Sequence, residues 1–326
     1  MTVLKAELHV HLEGTISPQL AFKIAKRNGI ELTKGIVTPD GEAYISKDFL
    51  DFLNVYDQVA AVIKKPQDYY DITYDYLKNN AGFGAIYTEM MYSPDHAELS
   101  SGIPSIEHLQ AIQKAIDDAE KDFQIIGRIL ITGVRHFGQE ACEKVALQGI
   151  KDKLPCVTGF GLGGDEGKFP PHLFKRAYEI AHDGGLMCTV HAGEFASYEG
   201  MIEAMNVLPI KRIGHGVHAE QDERTRSMLK DKGIALEICP HSNIFLGLYD
   251  KLSDHPLPKF ISEGIRVSLN SDDPPFMRTN IEKEYQEIQK TFQYSDDFMK
   301  GITKMAIEDA FVDENTKAAL LARLAD

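Results

Sequence analysis

No stretch of this 326-residue chain strings together the roughly 18 apolar residues that a membrane-spanning helix requires. Its first residues carry no basic-then-apolar leader. Membrane spanning and secretion are therefore not expected, and a cytoplasmic location is. Cysteine is scarce: Cys142, Cys156, Cys188 and Cys239 are scattered without C-x-x-C spacing. That pattern offers no disulfide framework and predicts buried, reduced thiols. Basic residues are outnumbered, 35 against 49 acidic, for a net charge of −14. A phosphate backbone demands a clustered basic surface, so nucleic acid is not an expected partner. Repeats and low-complexity linkers are lacking as well. A hydrophobic content of 43% over this length suffices for a large core, and residues 1–326 are expected to form one domain.

What is present alternates. Short β-branched or apolar runs occur at 6–11, 84–91, 125–132, 157–163, 186–191, 211–215, 234–239 and 265–270. Stretches of helical period separate most of them. Eight strands with intervening helices predict an α/β fold of the (β/α)8 TIM-barrel type. One helix can be read from end to end. Ser17 is placed to cap it, Pro18 suits its first turn and Gly29 suits its stop. One connection is out of proportion. Residues 17–80 read as a helical insertion between strands one and two, with aromatic and aliphatic residues at helical spacing. Such an insertion adds a helical layer to the barrel wall or covers the strand ends as a lid, and the two roles are compatible.

The chemistry is concentrated at strand ends. "ELHVHLEG" at 7–14 sets His9 and His11 at i and i+2, on one face of strand one. Strand five ends in "TVHAGE", with His191 and Glu194. Strand six ends in "IGHGVHAE", with His215 between two glycines, and strand eight in "SLNSDDPP", with Asp272 and Asp273. A barrel builds its active site at the C-terminal strand ends, so these residues are brought to one mouth. Nitrogen and carboxylate donors without cysteine suit a catalytic zinc, with iron as the other divalent metal in view. A metal held by His9, His11, His191 and Asp272 would keep a position for water and lower its pKa toward neutrality. Glu194 and His215 are then left for proton transfer and charge stabilisation. No lysine in the middle strands is placed to bridge a second metal, so one ion per chain is expected.

Eight segments, in order and in register, resemble the adenosine/adenine deaminases of the amidohydrolase superfamily. They are "KAELHVHLEGTISPQ", "YTEMMYSP", "GFGLGGDEGKFPPHLF", "TVHAGE", "RIGHGVHAE", "EICPHSN", "DHPL" and "VSLNSDDPP". The resemblance covers nearly the whole chain and implies hydrolysis of a 6-aminopurine to its 6-oxo product and ammonia. It implies that His9, His11, His191 and Asp272 bind zinc, with His11 also facing the substrate. Glu194 would protonate the purine N1. His215 would orient the hydroxide that attacks C6, as base or electrostatic stabiliser. Asp273 would bond N7, and the Gly164 N–H would reach N3.

Two positions bear on the substrate. Many nucleoside-specific members carry Asp where this chain has Glu13, against a ribose hydroxyl, and Glu there is frequent among adenine deaminases. "GGDE" at 163–166 resembles the nucleoside branch, and "MM" at 90–91 replaces a common Leu-Arg pair. The longer segment weighs more, so adenosine or 2'-deoxyadenosine is the expected substrate. Adenine, or a modified adenosine such as aminodeoxyfutalosine, is the alternative. A non-catalytic relative is disfavoured because every expected position is filled. A metal phosphoesterase would want basic residues near the ends of strands seven and eight, where "PHSN" and "SDDPP" stand. The zinc deaminases built on H-x-E and P-C-x-x-C are excluded, since no such cysteine pair exists. His96, His108, His136, His172 and His182 read as surface or structural residues. His218 reads as a supporting residue behind the site, His255 as one that orders a loop, and Glu166 as a loop residue bonded to backbone.

Overall fold

A computed structural model describes residues 3–47 and 49–325. Met1, Thr2, Asp48 and Asp326 of the expected 1–326 span lie outside the described residues. Eight parallel strands follow one another around a single sheet in chain order. They are β1 (Lys5–Glu7), β2 (Ala85–Tyr92), β3 (Ile126–Val134), β4 (Val157–Gly163), β5 (Met187–Ala192), β6 (Arg212–His215), β7 (Ala235–Ile238) and β8 (Val267–Leu269). Helices cover the outside, and the strands are buried on both faces, as their near-continuous apolar runs require. The TIM barrel expected from the sequence is thus present, with each strand within a few residues of its predicted place.

The ends of the ladder differ from expectation in an informative way. β1 and β8 are short, and the barrel is closed beyond them by backbone bonds between residues carrying site side chains. The His11 N–H donates to the Asp272 carbonyl at 2.9 Å, and the Asp272 N–H to the His9 carbonyl at 3.3 Å. The Leu8 N–H donates to Asn270 Oδ1 at 2.7 Å. Closure of the fold and assembly of the mouth are one event.

The connection from β1 to β2 holds α1 (Pro18–Asn28), α2 (Phe49–Ala60) and α3 (Pro66–Gly82). In α1, Ser17 Oγ accepts from the Leu20 N–H at 3.3 Å, and Gly29 stops the helix at φ 69°. Leu20, Ala21, Ile24 and Ala25 form its buried stripe. α3 packs on the outer helix Ser105–Phe123, as a wall layer does. α2 instead packs on the turn Glu13–Thr15 at the end of β1. Its Phe52 and Tyr56 meet Phe276 from the β8 side at ring distances of 5.6 and 5.5 Å, and Tyr44 stacks on the same ring at 4.4 Å. Within the insertion, α3 thus lies in the outer layer and α2 against the turn that follows β1. All four cysteines are free and buried, and no helix among the described residues is long and apolar enough to cross a membrane.

Candidate active site

Each of the four expected ligands stands at the mouth. His9 is fully buried, and its Nδ1 donates to Glu237 Oε2 at 2.7 Å. Its Nε2 lies 3.5 Å from Asp272 Oδ1 and makes no hydrogen bond. His11 Nε2 lies 3.4 Å from the same Oδ1 and 3.3 Å from His191 Nε2. His191 Nδ1 donates to the Leu162 carbonyl at 3.0 Å, and Asp272 Oδ2 accepts from Ser242 Oγ at 2.7 Å. One donor atom from each of His9, His11, His191 and Asp272 falls within 4.8 Å of the others. An unpartnered buried imidazole nitrogen, facing two further imidazoles and a carboxylate, fits a divalent cation. His9, His215, Cys239 and Asp272 make a second grouping of this kind. It fits less well. Burial, with Asp272, Glu284, Glu194 and Glu237 around it, pushes the Cys239 thiol well up and holds its proton.

The backbone is shaped to seat these groups. A Cβ on Gly214 would stand 2.7 Å from His9 Cε1, so the ring occupies the space that a side chain there would need. His215 and Asp272 both hold positive φ, 58° and 62°. That conformation is uncommon outside glycine and clusters at functional sites.

The protonation pattern follows from burial and shared charge. Burial lowers the His11 pKa to about 4 and that of His215 to about 3, and takes His191 well below its ordinary value. For His9 burial also acts downward, but its close pairing with Asp272 and Glu237 raises it to about 10. Burial acts to raise Asp272, yet its histidine neighbours hold it well below the carboxylate range. Burial, then the charge of Asp272, pushes Glu194 and Asp273 well above that range. Two carboxyls raised in pKa thus stand beside one held low, the separation of roles that acid–base chemistry needs.

The remaining predicted residues surround this cluster. Glu194 follows β5, buried, with Oε1 3.5 Å from His215 Nδ1. Asp273 Oδ1 is buried without a partner. A Cβ on Gly14 would come within 1.8 Å of that oxygen, which explains the glycine after Glu13. Glu13 is buried, and its Oε1 accepts from the Tyr69 hydroxyl at 2.9 Å. Gly164 lies exposed just past β4 at φ 99°.

Sequence reasoning missed the supports. Glu237 holds His9, accepts from Thr189 Oγ1 at 2.9 Å and pairs with Arg212 Nε at 2.6 Å. Arg212 also pairs with Glu89 and lies 3.5 Å over the Phe311 ring. A charged residue in the middle of "ALEI" was the available signal for Glu237. Glu166 accepts from the Gly193 N–H at 2.8 Å and the Glu194 N–H at 3.3 Å, the backbone-bonded role expected of it. Arg135, whose charge faces Glu166, donates to the His191 carbonyl at 2.6 Å. His108 is structural, bonded to the Tyr92 hydroxyl at 2.9 Å. His96 is nearer the site than expected: its Nε2 lies 3.6 Å from Asp57 of α2, and its charge acts on Glu13.

A profile of the adenosine deaminase family matches residues 4–326. A protein of Chelativorans sp. named adenine deaminase is 41% identical over 322 residues, covering 99% of this chain and 98% of its own length. One from Agrobacterium fabrum with the same name is 40% identical over 324 residues, with 99% and 98% coverage. The crystal structure of adenine deaminase from Arthrobacter aurescens matches with a TM-score of 0.90 at 31% identity, over 98% of each chain. An amidohydrolase from Burkholderia ambifaria, solved with bound zinc, shares the fold at a TM-score of 0.89 and 24% identity, over 99% of this chain and 90% of its own.

Proposed function

Because the chain belongs to the adenosine deaminase family and is a hydrolytic deaminase, we propose that its substrate is the free base adenine, converted to hypoxanthine and ammonia. The observation that carries this reading is the set of near full-length relatives, 39–41% identical, that bear the name adenine deaminase. It reverses the nucleoside preference drawn from the sequence. The step that misled is identifiable. The "GGDE" segment was weighed as a sugar-side feature, but Glu166 is spent on the backbone N–H groups of Gly193 and Glu194. Asp165 is exposed and pairs with Lys168 at 3.0 Å.

Residue roles in this reading follow from the site. His9, His11, His191 and Asp272 would hold one zinc. Zinc supplies, when bound there, a nucleophile at neutral pH by lowering the pKa of water. Glu194, buried and raised in pKa, keeps a proton to deliver to N1 of the purine, which makes C6 electrophilic. Asp273, raised for the same reasons, presents its carboxyl to N7. The Gly164 N–H serves N3, and His215 faces the attacking oxygen. Glu13 gains a purpose suited to a base. Free adenine carries a ring N–H where a nucleoside carries its sugar, and a buried carboxylate accepts it. α2 and its aromatic ring cluster exclude water above the turn that bears Glu13. The test is a stoichiometric one. Zinc-reconstituted protein is expected to release hypoxanthine and ammonia one to one from adenine, and to stop when the metal is chelated. Turnover of adenosine with adenine inert would overturn the substrate reading.

A further inference from the structure

His215 can face the attacking oxygen either with a lone pair, as a base, or with an N–H, as a donor. Which one depends on where its single proton sits. A chain of hydrogen bonds behind the ring decides this, and it starts from a group that cannot change its role. The Leu257 backbone N–H donates to His255 Nδ1 at 3.1 Å. His255 is buried, and burial lowers its pKa to about 3, so the ring is neutral and carries its proton on Nε2. That Nε2 lies 3.2 Å from Asn243 Oδ1 and must donate to it. Turning the amide over would set an N–H against an N–H, so only this orientation is consistent. Asn243 Nδ2 is then committed to donate onward, and it stands 3.3 Å from His215 Nδ1. Nδ1 accepts, so the His215 proton is on Nε2.

We propose that Asn243 and His255 are positioning residues that fix His215 as the Nε2–H tautomer, making it a hydrogen-bond donor toward the reacting atoms and not their base. All three side chains are buried. They sit on β6, on the helix Pro240–Phe245 and before the helix Leu257–Ser262, so the relay spans three separate elements. The competing partner is Glu194, whose Oε1 is 3.5 Å from the same Nδ1. An ionised Glu194 would draw the proton to Nδ1 and cancel the relay. The inference rests on the reading of His215 as a residue facing the reacting atoms.

Nitrogen-15 NMR of histidine-labelled, zinc-loaded protein reads the tautomer directly. The expected spectrum shows His215 Nδ1 unprotonated and Nε2 protonated. Asn243→Asp keeps the shape but offers only acceptors, so the proton should move to Nδ1. With the donor lost, kcat on adenine should fall about a hundredfold, the scale of removing one preorganised donor, with KM little changed. His255→Gln preserves a donor to Asn243 and should retain both tautomer and rate; His255→Glu reverses the polarity and should lose both. A wild-type spectrum with the proton on Nδ1 overturns the proposal. So does an Asn243→Asp protein with tautomer or kcat unchanged. If that variant does not fold, the wild-type spectrum and the His255 pair decide. The spectra need no substrate, so inactivity on adenine would sink the substrate reading and leave this test intact.

Discussion

Replacing Glu237 by Gln should weaken the metal site without breaking the fold. The carboxylate bridges two demands. One oxygen accepts from His9 Nδ1 at 2.7 Å, and the other faces Arg212 at 2.6 Å and accepts from Thr189 at 2.9 Å. An amide has only one oxygen. Turning its NH2 toward a buried guanidinium is the costlier choice, so the oxygen stays with Arg212 and the NH2 faces His9. His9 must then accept at Nδ1 and carry its proton on Nε2, the atom that would bind the metal. Loss of such a supporting carboxylate typically reduces metal affinity about 10- to 100-fold, or about 1.4–2.8 kcal/mol. Arg212 keeps Glu89 and the Asp309 carbonyl at 3.0 Å, so no charge is stranded. Competition with a chromophoric chelator measures the affinity, and melting of the metal-free protein measures the fold. An unchanged zinc affinity in Glu237→Gln would refute the assignment of His9 Nε2 as a ligand.

Arg212→Met is the opposite case: it strands Glu89 and Glu237 in the core, and denaturant unfolding should show a loss of about 3–5 kcal/mol, with a loss under 1 kcal/mol contradicting the account. Glu194→Gln should retain its zinc by elemental analysis and lose at least about 10²-fold in kcat; a metal-free variant would mean that Glu194 is a ligand. Glu13→Ala should cut kcat/KM for adenine about ten- to a hundredfold, since a charged acceptor contributes about 1.5–3 kcal/mol, and an unchanged rate would place Glu13 outside the base pocket. His108, which burial pushes from 6.5 down to about 4, adds an acid dependence. The unfolded chain binds the proton first, so this stability is complete above pH 6.5 and is lost as pH falls toward 4. His108→Gln should flatten that limb of the unfolding curve, and identical limbs would count against it.

The barrel was legible because its strands are buried on both faces, which leaves apolar runs that periodicity can find. The candidate ligands were legible because i and i+2 spacing and strand-end position are local facts. What supports them is not local. Glu237 is 228 residues from His9, and Ser242 is 30 from Asp272. Only the closed barrel makes these pairs neighbours. The glycines follow the same logic: Gly14 and Gly214 are required by Asp273 and His9, partners that no local pattern names. The weight given to one segment in reading the substrate has a related reason. "GGDE" was weighed by the length of the segment, whereas its glutamate accepts from the N–H groups of Gly193 and Glu194, just past β5.

The most direct test of the central claim is the ratio of kcat/KM for adenine to that for adenosine, measured by ultraviolet absorbance on zinc-loaded protein. A pocket that ends in Glu13 and takes a ring N–H predicts a ratio of at least about ten, since a buried acceptor left without its donor costs about 1–3 kcal/mol. A ratio at or below one would contradict it.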